Sequence, residues 1–175
     1  MYMDTLVAAT PITFDRQALS DIYEQLSPGI FRYAYRLLGD QDLAEECVAE
    51  TFSRFLHVLR DGRTPENIQA YLYRVAHNWI TDSYRRQPHF ETLDAEMHAD
   101  PEENPAQTVA ANLELERVRK ALWRLPAEQR LVVALRFLEE RSHEEVAAIL
   151  GKTVEATRAL QHRAMDALRR MLIEQ

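Results

Sequence analysis

The sequence predicts an all-α protein built as two small helical blocks, and three observations carry that expectation. Apolar residues recur at three- and four-residue spacing along most of the chain, and no run alternates polar and apolar at period two. Glycine and proline are sparse, at 4 and 7 among 175 residues. Between two helical stretches lies QPHFETLDAEMHADPEENPAQ, residues 87–107, with three prolines and no apolar stripe. That composition is expected of a flexible acidic linker.

The front block reads as four helices. Asp15 to Leu26 is the first. Ser27-Pro28 then offers a cap and a first-turn proline for a second helix, which Gly39 ends. Asp40 caps a third, whose Ala44, Cys47, Val48, Thr51, Phe52, Phe55, Leu56 and Leu59 share one face, and Asp61-Gly62 closes it. Thr64-Pro65 opens a fourth, containing AYLYRVAHNWITDSYRR (70–86), which stops before Pro88. The rear block also reads as four. Residues 108–124 form one helix, broken by Leu125-Pro126, and Ala127–Leu138 form the next. Ser142 with Glu145 makes a capping box for a short helix ended by Gly151, and a long helix follows from about Val154 to Ile173.

Composition narrows the function classes. Hydrophobic residues make up 46% and charged residues 28%, a soluble balance, and the longest aliphatic run, Leu131–Leu135, is too short to span a bilayer. The first ten residues carry Asp4 and no basic residue, a poor secretory signal, so a cytoplasmic location is expected. Cys47 is the single cysteine, on an apolar helix face, which suits a small core residue. The histidines show no ligand spacing beside a suitable carboxylate, so neither a metal site nor a cofactor is expected.

The net charge of −7 is unevenly spread. Residues 87–113 hold six acids and no Lys or Arg, whereas residues 1–86 carry −3 and residues 114–175 carry +2. Both flanks can therefore meet nucleic acid even though the whole chain is acidic.

Three faces stand out. In the rear block HEEVAAILGKTVEATRALQH has the layout of a helix-turn-helix. Ala147 lets two helices touch, Gly151 makes the turn, and Val146, Leu150 and Leu160 form the seam. Leu160, Ala164, Ala167, Leu168 and Met171 form the inward stripe of the last helix, leaving Lys152, Arg158, His162 and Arg163 near its start to meet a major groove. A merely solvated basic face is the competing reading, and it is preferred for Arg169 and Arg170.

On the fourth front helix, Leu72, Val75, Ala76, Trp79 and Ile80 make the buried face. Tyr71, Arg74, Asn78, Asp82 and Arg85 rise in line on the other side, flanked by Tyr73, His77 and Tyr84. Arginines for phosphate, aromatics for stacking and an amide for a base edge suit single-stranded nucleic acid. The third front helix presents Asp42, Glu45, Glu46 and Glu50, a face that is either simply solvated or suited to a basic protein partner.

Taken together these stretches resemble a bacterial RNA polymerase sigma factor of the small two-domain, extracytoplasmic-function (ECF) type. AEECVAETFSRF is similar to that family's A-E-D-φ-V-Q-E-T-F, and AYLYRVAHNWITDSYRR to W-L-Y-R-I-A-x-N-x-x-x-D-x-x-R-R. LPAEQRLVVALRFLEERSHEEVAAILG and RALQHRAMDALRR resemble its promoter-binding helix-turn-helix, and the likeness covers residues 27–88 and 114–172. The resemblance implies a front domain over 15–87, preceded by an extension at 1–14. Its Asp42, Glu45, Glu46 and Glu50 would dock on the clamp helices of core RNA polymerase. Tyr71, Arg74, Asn78, Asp82, Arg85 and Arg86 would engage the -10 promoter element, with the loop 60–67 helping to hold a flipped base.

A linker over 88–107 would thread towards the active centre and RNA exit path. A rear domain over 108–175 would read the -35 element through Lys152, Arg158, Ala159, His162 and Arg163 and touch the polymerase flap. An anti-sigma factor or other inhibitory partner is expected, and no catalytic residue. Departures include Ala49, where the family carries Gln, and Thr157 at a seam position that is usually Val or Ile; its hydroxyl is free to bond back to a carbonyl near Thr153. The competing function is a stand-alone helix-turn-helix regulator. A hydrolase using Glu45, Glu46 and Glu50 fails for want of a metal shell, a nucleophile or a cleft.

Overall fold

Asp15 starts the first helix by accepting a hydrogen bond from the Ala18 amide at 2.7 Å. The helix, α1, runs over Arg16–Leu38 without a break. In this computed structural model, residues 15–86 and 105–173 are described. The extension expected over 1–14, and the part of the linker expected over 88–104, lie outside them.

The break expected at Ser27-Pro28 is absent, and the first two front helices are one. Leu19, Ile22, Leu26, Ile30, Tyr33 and Leu37 keep one apolar phase across Pro28, so both halves of α1 face the same core. An interior proline costs about 3 kcal/mol when the carbonyl it frees has no partner. Here Pro28 and Glu24 both lie on the exposed side, where water reaches the carbonyl that loses its amide. Burial of Ile30, Tyr33 and Leu37, each 0% exposed, contributes about 1.5–3 kcal/mol per side chain and outweighs the defect.

Gly39 ends α1 in the left-handed conformation, at φ 72°, which only glycine adopts without strain. Helix α2 spans Gln41–Arg60 and is capped by Asp40, which accepts from the Leu43 amide at 2.9 Å. Helix α3 spans Ile68–Arg86. It starts three residues later than Thr64-Pro65 suggests, because Asn67 supplies the cap and accepts from the Ala70 amide at 2.9 Å.

In the rear block, α4 covers Pro105–Arg124 and begins three residues before the expected start. Helix α5 is only Ala127–Val133, and Ala134–Leu138 continue as a π turn in place of the regular helix expected to Leu138. Helix α6, His143–Leu150, carries the expected capping box on Ser142 and Glu145 and ends at Gly151. Helix α7 is Val154–Ile173. Among the described residues there is no strand, and no helix is long and apolar enough to cross a membrane.

One apolar cluster runs through both blocks, from Ile30, Leu37, Phe55, Leu72 and Ile80 to Leu122, Leu135, Val146, Leu160 and Leu168. The blocks are joined by specific contacts as well as by this core. Trp123 on α4 donates Nε1–H to the Leu37 carbonyl at 2.8 Å and stacks on Tyr84 of α3 at 3.5 Å between ring centroids. Arg119 Nε donates to the Arg36 carbonyl at 3.1 Å. Glu139, just past the π turn, has a side chain only 3% exposed and meets Arg36 at 3.3 Å and Arg32 at 3.7 Å. Burial raises its pKa while the neighbouring arginines oppose the shift. Arg141 Nη2 donates to the Tyr73 hydroxyl at 3.1 Å.

Candidate nucleic-acid interface

Helix α3 has neighbours on several sides, which sorts its polar residues in a way that periodicity alone does not show. Asn78, Asp82, Arg85 and Arg86 are exposed, and the Arg86 Nε donates to the Asp82 carbonyl at 3.3 Å. Tyr71 is half-buried against Phe55, with ring centroids 6.1 Å apart. Arg74 is half-buried and turned towards α6, where its Nε donates to the Ile149 carbonyl at 3.0 Å and its Nη2 to that of Ala148 at 3.5 Å.

The three flanking aromatic groups do not serve an outer face. Tyr73 is 1% and His77 5% exposed, both turned towards Tyr33 of α1, whose hydroxyl lies 2.8 Å from His77 Nδ1. Burial, reinforced by Arg130, lowers the His77 pKa to about 3, so the ring is neutral. Tyr84 spends its face on Trp123. The physical reason is shared: α1 and the rear block cover sides of α3 that one apolar stripe leaves open. Trp79, at 6% exposure, belongs to the core as expected.

Helix α7 keeps the simpler arrangement. Leu160, Ala164 and Leu168 are buried, whereas Arg158, Ala159, His162 and Arg163 are exposed near its start. The seam with α6 closes through Val146 and Ala147, 0% and 5% exposed, and Gly151 turns the chain at φ 63°. Thr157 is fully buried and donates its hydroxyl to the Thr153 carbonyl at 3.0 Å, the back-bond foreseen for it. Lys152 is half-buried and paired with Glu128 at 3.1 Å, and His162 Nδ1 lies 3.2 Å from Asp166.

On α2, Asp42, Glu45 and Glu46 are exposed and Glu50 is partly so, tied to Arg54 at 2.7 Å. Cys47 points inward, 0% exposed, and burial pushes its thiol up to about 12. A groove lined by Tyr23, Pro28, Phe31, Val48 and Ala49 runs beside the acidic face. Sequence reasoning missed Tyr23, 48% exposed, because it lay in what read as a separate helix.

A second concavity, about 480 Å³, is lined by Arg54, Leu56, His57, Arg60 and Tyr71. Its basic residues recur every third position along α2 and so share one side. That spacing was legible but was masked by the acids one turn earlier. The loop 60–67 borders it, with Gly62 at φ 74° and Arg63 paired with Asp61 at 2.8 Å. Among the described residues no three His, Cys, Asp or Glu side chains gather where they could hold a metal ion.

The chain matches two family models, Sigma-70 region 2 over residues 22–89 and Sigma-70 region 4 over residues 121–170. It is 32% identical over 176 residues to the ECF RNA polymerase sigma factor SigD of Mycobacterium tuberculosis (strain ATCC 25618 / H37Rv), covering 93% of this chain and 81% of that one. It is 26% identical over 159 residues to RNA polymerase sigma factor YlaC of Bacillus subtilis (strain 168), covering 89% and 92%. Among solved structures it is similar to CnrH in complex with the cytosolic domain of CnrY. That match has a TM-score of 0.66 and 26% identity, and it covers 94% of each chain.

Proposed function

The chain belongs to the ECF RNA polymerase sigma factors, and from that premise we propose that it brings core polymerase to promoters through three separate helix faces. The acidic face of α2, Asp42, Glu45, Glu46 and Glu50, docks on basic clamp helices of the polymerase. The α3 face engages the -10 element and promotes strand opening, with Asn78 reading a base that has left the duplex. Arg74, Arg85 and Arg86 hold phosphates there, Asp82 lies one turn beyond Asn78, and Tyr71 stacks. The start of α7, with Lys152, Arg158, Ala159, His162 and Arg163, reads the -35 element, and the rear block touches the flap. By extension from CnrH with CnrY, an inhibitory protein partner holds this chain until a signal releases it.

The observation that carries this reading is the pair of exposed residues Asn78 and Asp82, one turn apart on a helix that buries nine others. A stand-alone duplex-binding regulator needs the α6–α7 unit but has no use for an exposed amide one helical turn from an exposed carboxylate, 4 positions apart on another helix. An amide reaches the Watson–Crick edge of a base with paired donor and acceptor contacts only once that base has left its partner.

Run-off transcription with core polymerase on candidate promoters tests the whole. Glu46→Lys with Glu50→Lys removes co-purification with core enzyme. Asn78→Ala keeps core binding and closed complexes but reduces permanganate-reactive thymines and blurs selectivity at one -10 position. Pre-melted promoter DNA restores part of the rate. Normal opening and normal selectivity in Asn78→Ala would make Asn78 a structural residue.

A further inference from the structure

The acidic face of α2 borders a groove with an apolar floor. Tyr23 and Phe31 of α1 line it with Val48 and Ala49 of α2, and it encloses about 460 Å³. Tyr23 stays 48% exposed even though its ring meets Phe52 at 4.8 Å between centroids. Pro28, also in the lining, adds a second feature. It has no amide hydrogen, so the Glu24 carbonyl one turn earlier points at Pro28 without its helical donor. A partner helix laid in the groove has already used its amides on itself, whereas an extended segment brings free ones.

We propose that the chain's own N-terminal stretch LVAATPI, Leu6 to Ile12, docks in this groove in extended form and competes there with the polymerase clamp. The proposal rests on the reading of α2 as the clamp-docking face and adds an intramolecular competitor to it. Reach permits the docking. Phe31 lies sixteen residues beyond Asp15, about 24 Å along α1. Eight extended residues span about 26 Å, which brings Val7 level with Phe31 and Ile12 near Tyr23. Chemistry favours it as well. LVAATPI carries no charge, and Pro11 biases Thr10 away from helix and towards extended backbone. A basic partner helix would answer the α2 carboxylates, but it offers no free amide for Glu24 and no uncharged strip for Tyr23 and Phe31. A tether this short also keeps the segment at a millimolar effective concentration, on the order of 1 mM, so weak contacts fill the groove.

The test uses the full chain carrying Val7→Cys with Ala49→Cys, the second an exposed position, and copper phenanthroline as the oxidant. Cys47 stays out of the reaction, being buried with its thiol pushed up to about 12. A disulfide forms within one chain, whereas Val7→Cys with Arg170→Cys, exposed near the end of α7, forms none. The trapped chain loses core-polymerase binding, and reduction restores it. In a chain with no added cysteine, Leu6→Asp with Val7→Asp tightens core binding about tenfold, as follows when about nine grooves in ten are filled. Both positions precede α1, so the helical core is untouched. Trapping no better than the Arg170→Cys control overturns the proposal. A disulfide between two chains also overturns it and gives the groove to a second copy. Trapped and reduced chains that bind core equally, while Glu46→Lys with Glu50→Lys abolishes binding, overturn the competition alone. If Glu46→Lys with Glu50→Lys leaves core binding intact, the clamp reading falls and the competition falls with it.

Discussion

Helices α3 and α7 are nearly equal in length, at 19 and 20 residues, and both carry arginines beside an apolar stripe, yet their surroundings differ. Helix α7 buries three stripe residues and Thr157 and leaves its candidate DNA residues in water. Helix α3 buries nine, including Tyr73, His77 and Thr81, which lie off its apolar stripe. Polar periodicity therefore reports the outer face faithfully when a helix packs along one side. It misassigns residues when α1, α2 and the rear block each claim a side.

The largest expected consequence of that difference is in stability. Leu72→Ala on α3, at 0% exposure, should destabilise the chain by about 3–5 kcal/mol, against about 2–3 kcal/mol for Leu168→Ala on α7 at 7%. Urea midpoints decide it, and equal losses would break the contrast.

Arg158→Ala comes next. It should lower discrimination at the -35 element by about 1–3 kcal/mol while the urea midpoint stays put, because the residue is exposed. Arg74→Ala should instead move both DNA response and stability. Promoter titrations beside melts separate the two helices cleanly.

His77 sharpens the comparison through pH. Its folded pKa is lowered to about 3, below the ordinary 6.5, so the fold accepts only the neutral ring. The stability this provides is complete above pH 6.5 and is lost as pH falls towards 3. From about pH 7.5 to about pH 5 the loss is roughly 2 kcal/mol, a slope that His77→Leu should flatten. The smallest effect belongs to Ser142→Ala, which removes the α6 capping box at about 1 kcal/mol and should loosen the helix-turn-helix, as a urea melt would show.

Local chemistry was readable from the residues. Asp15, Asp40 and the Ser142–Glu145 box start helices where expected, Gly39 and Gly151 end them, and the Thr157 back-bond lies within one turn. Each depends only on neighbours within a few positions. What escaped depends on distant partners. Pro28 stays inside α1 because both halves share a core supplied by α2 and α3. Tyr84 is taken by Trp123 and Arg74 by α6, residues 39 and about 75 positions away. No spacing within AYLYRVAHNWITDSYRR encodes those meetings. The exposed members of the α3 and α7 faces were legible because water is their only large neighbour.

The π turn over Ala134–Leu138 ties the two blocks to chain length. Such a turn accommodates one residue more than an α-helical turn over a similar span. Deleting the extra residue would rewind the segment to α geometry with the chain beyond it at nearly the same phase. Deleting a second would swing that chain by about 100° around the axis. Glu139 would then leave Arg32 and Arg36, and Arg141 would leave Tyr73. The meeting of the two blocks is thus set by a phase angle, so a deletion that removes no charge and no aromatic ring would be enough to part them.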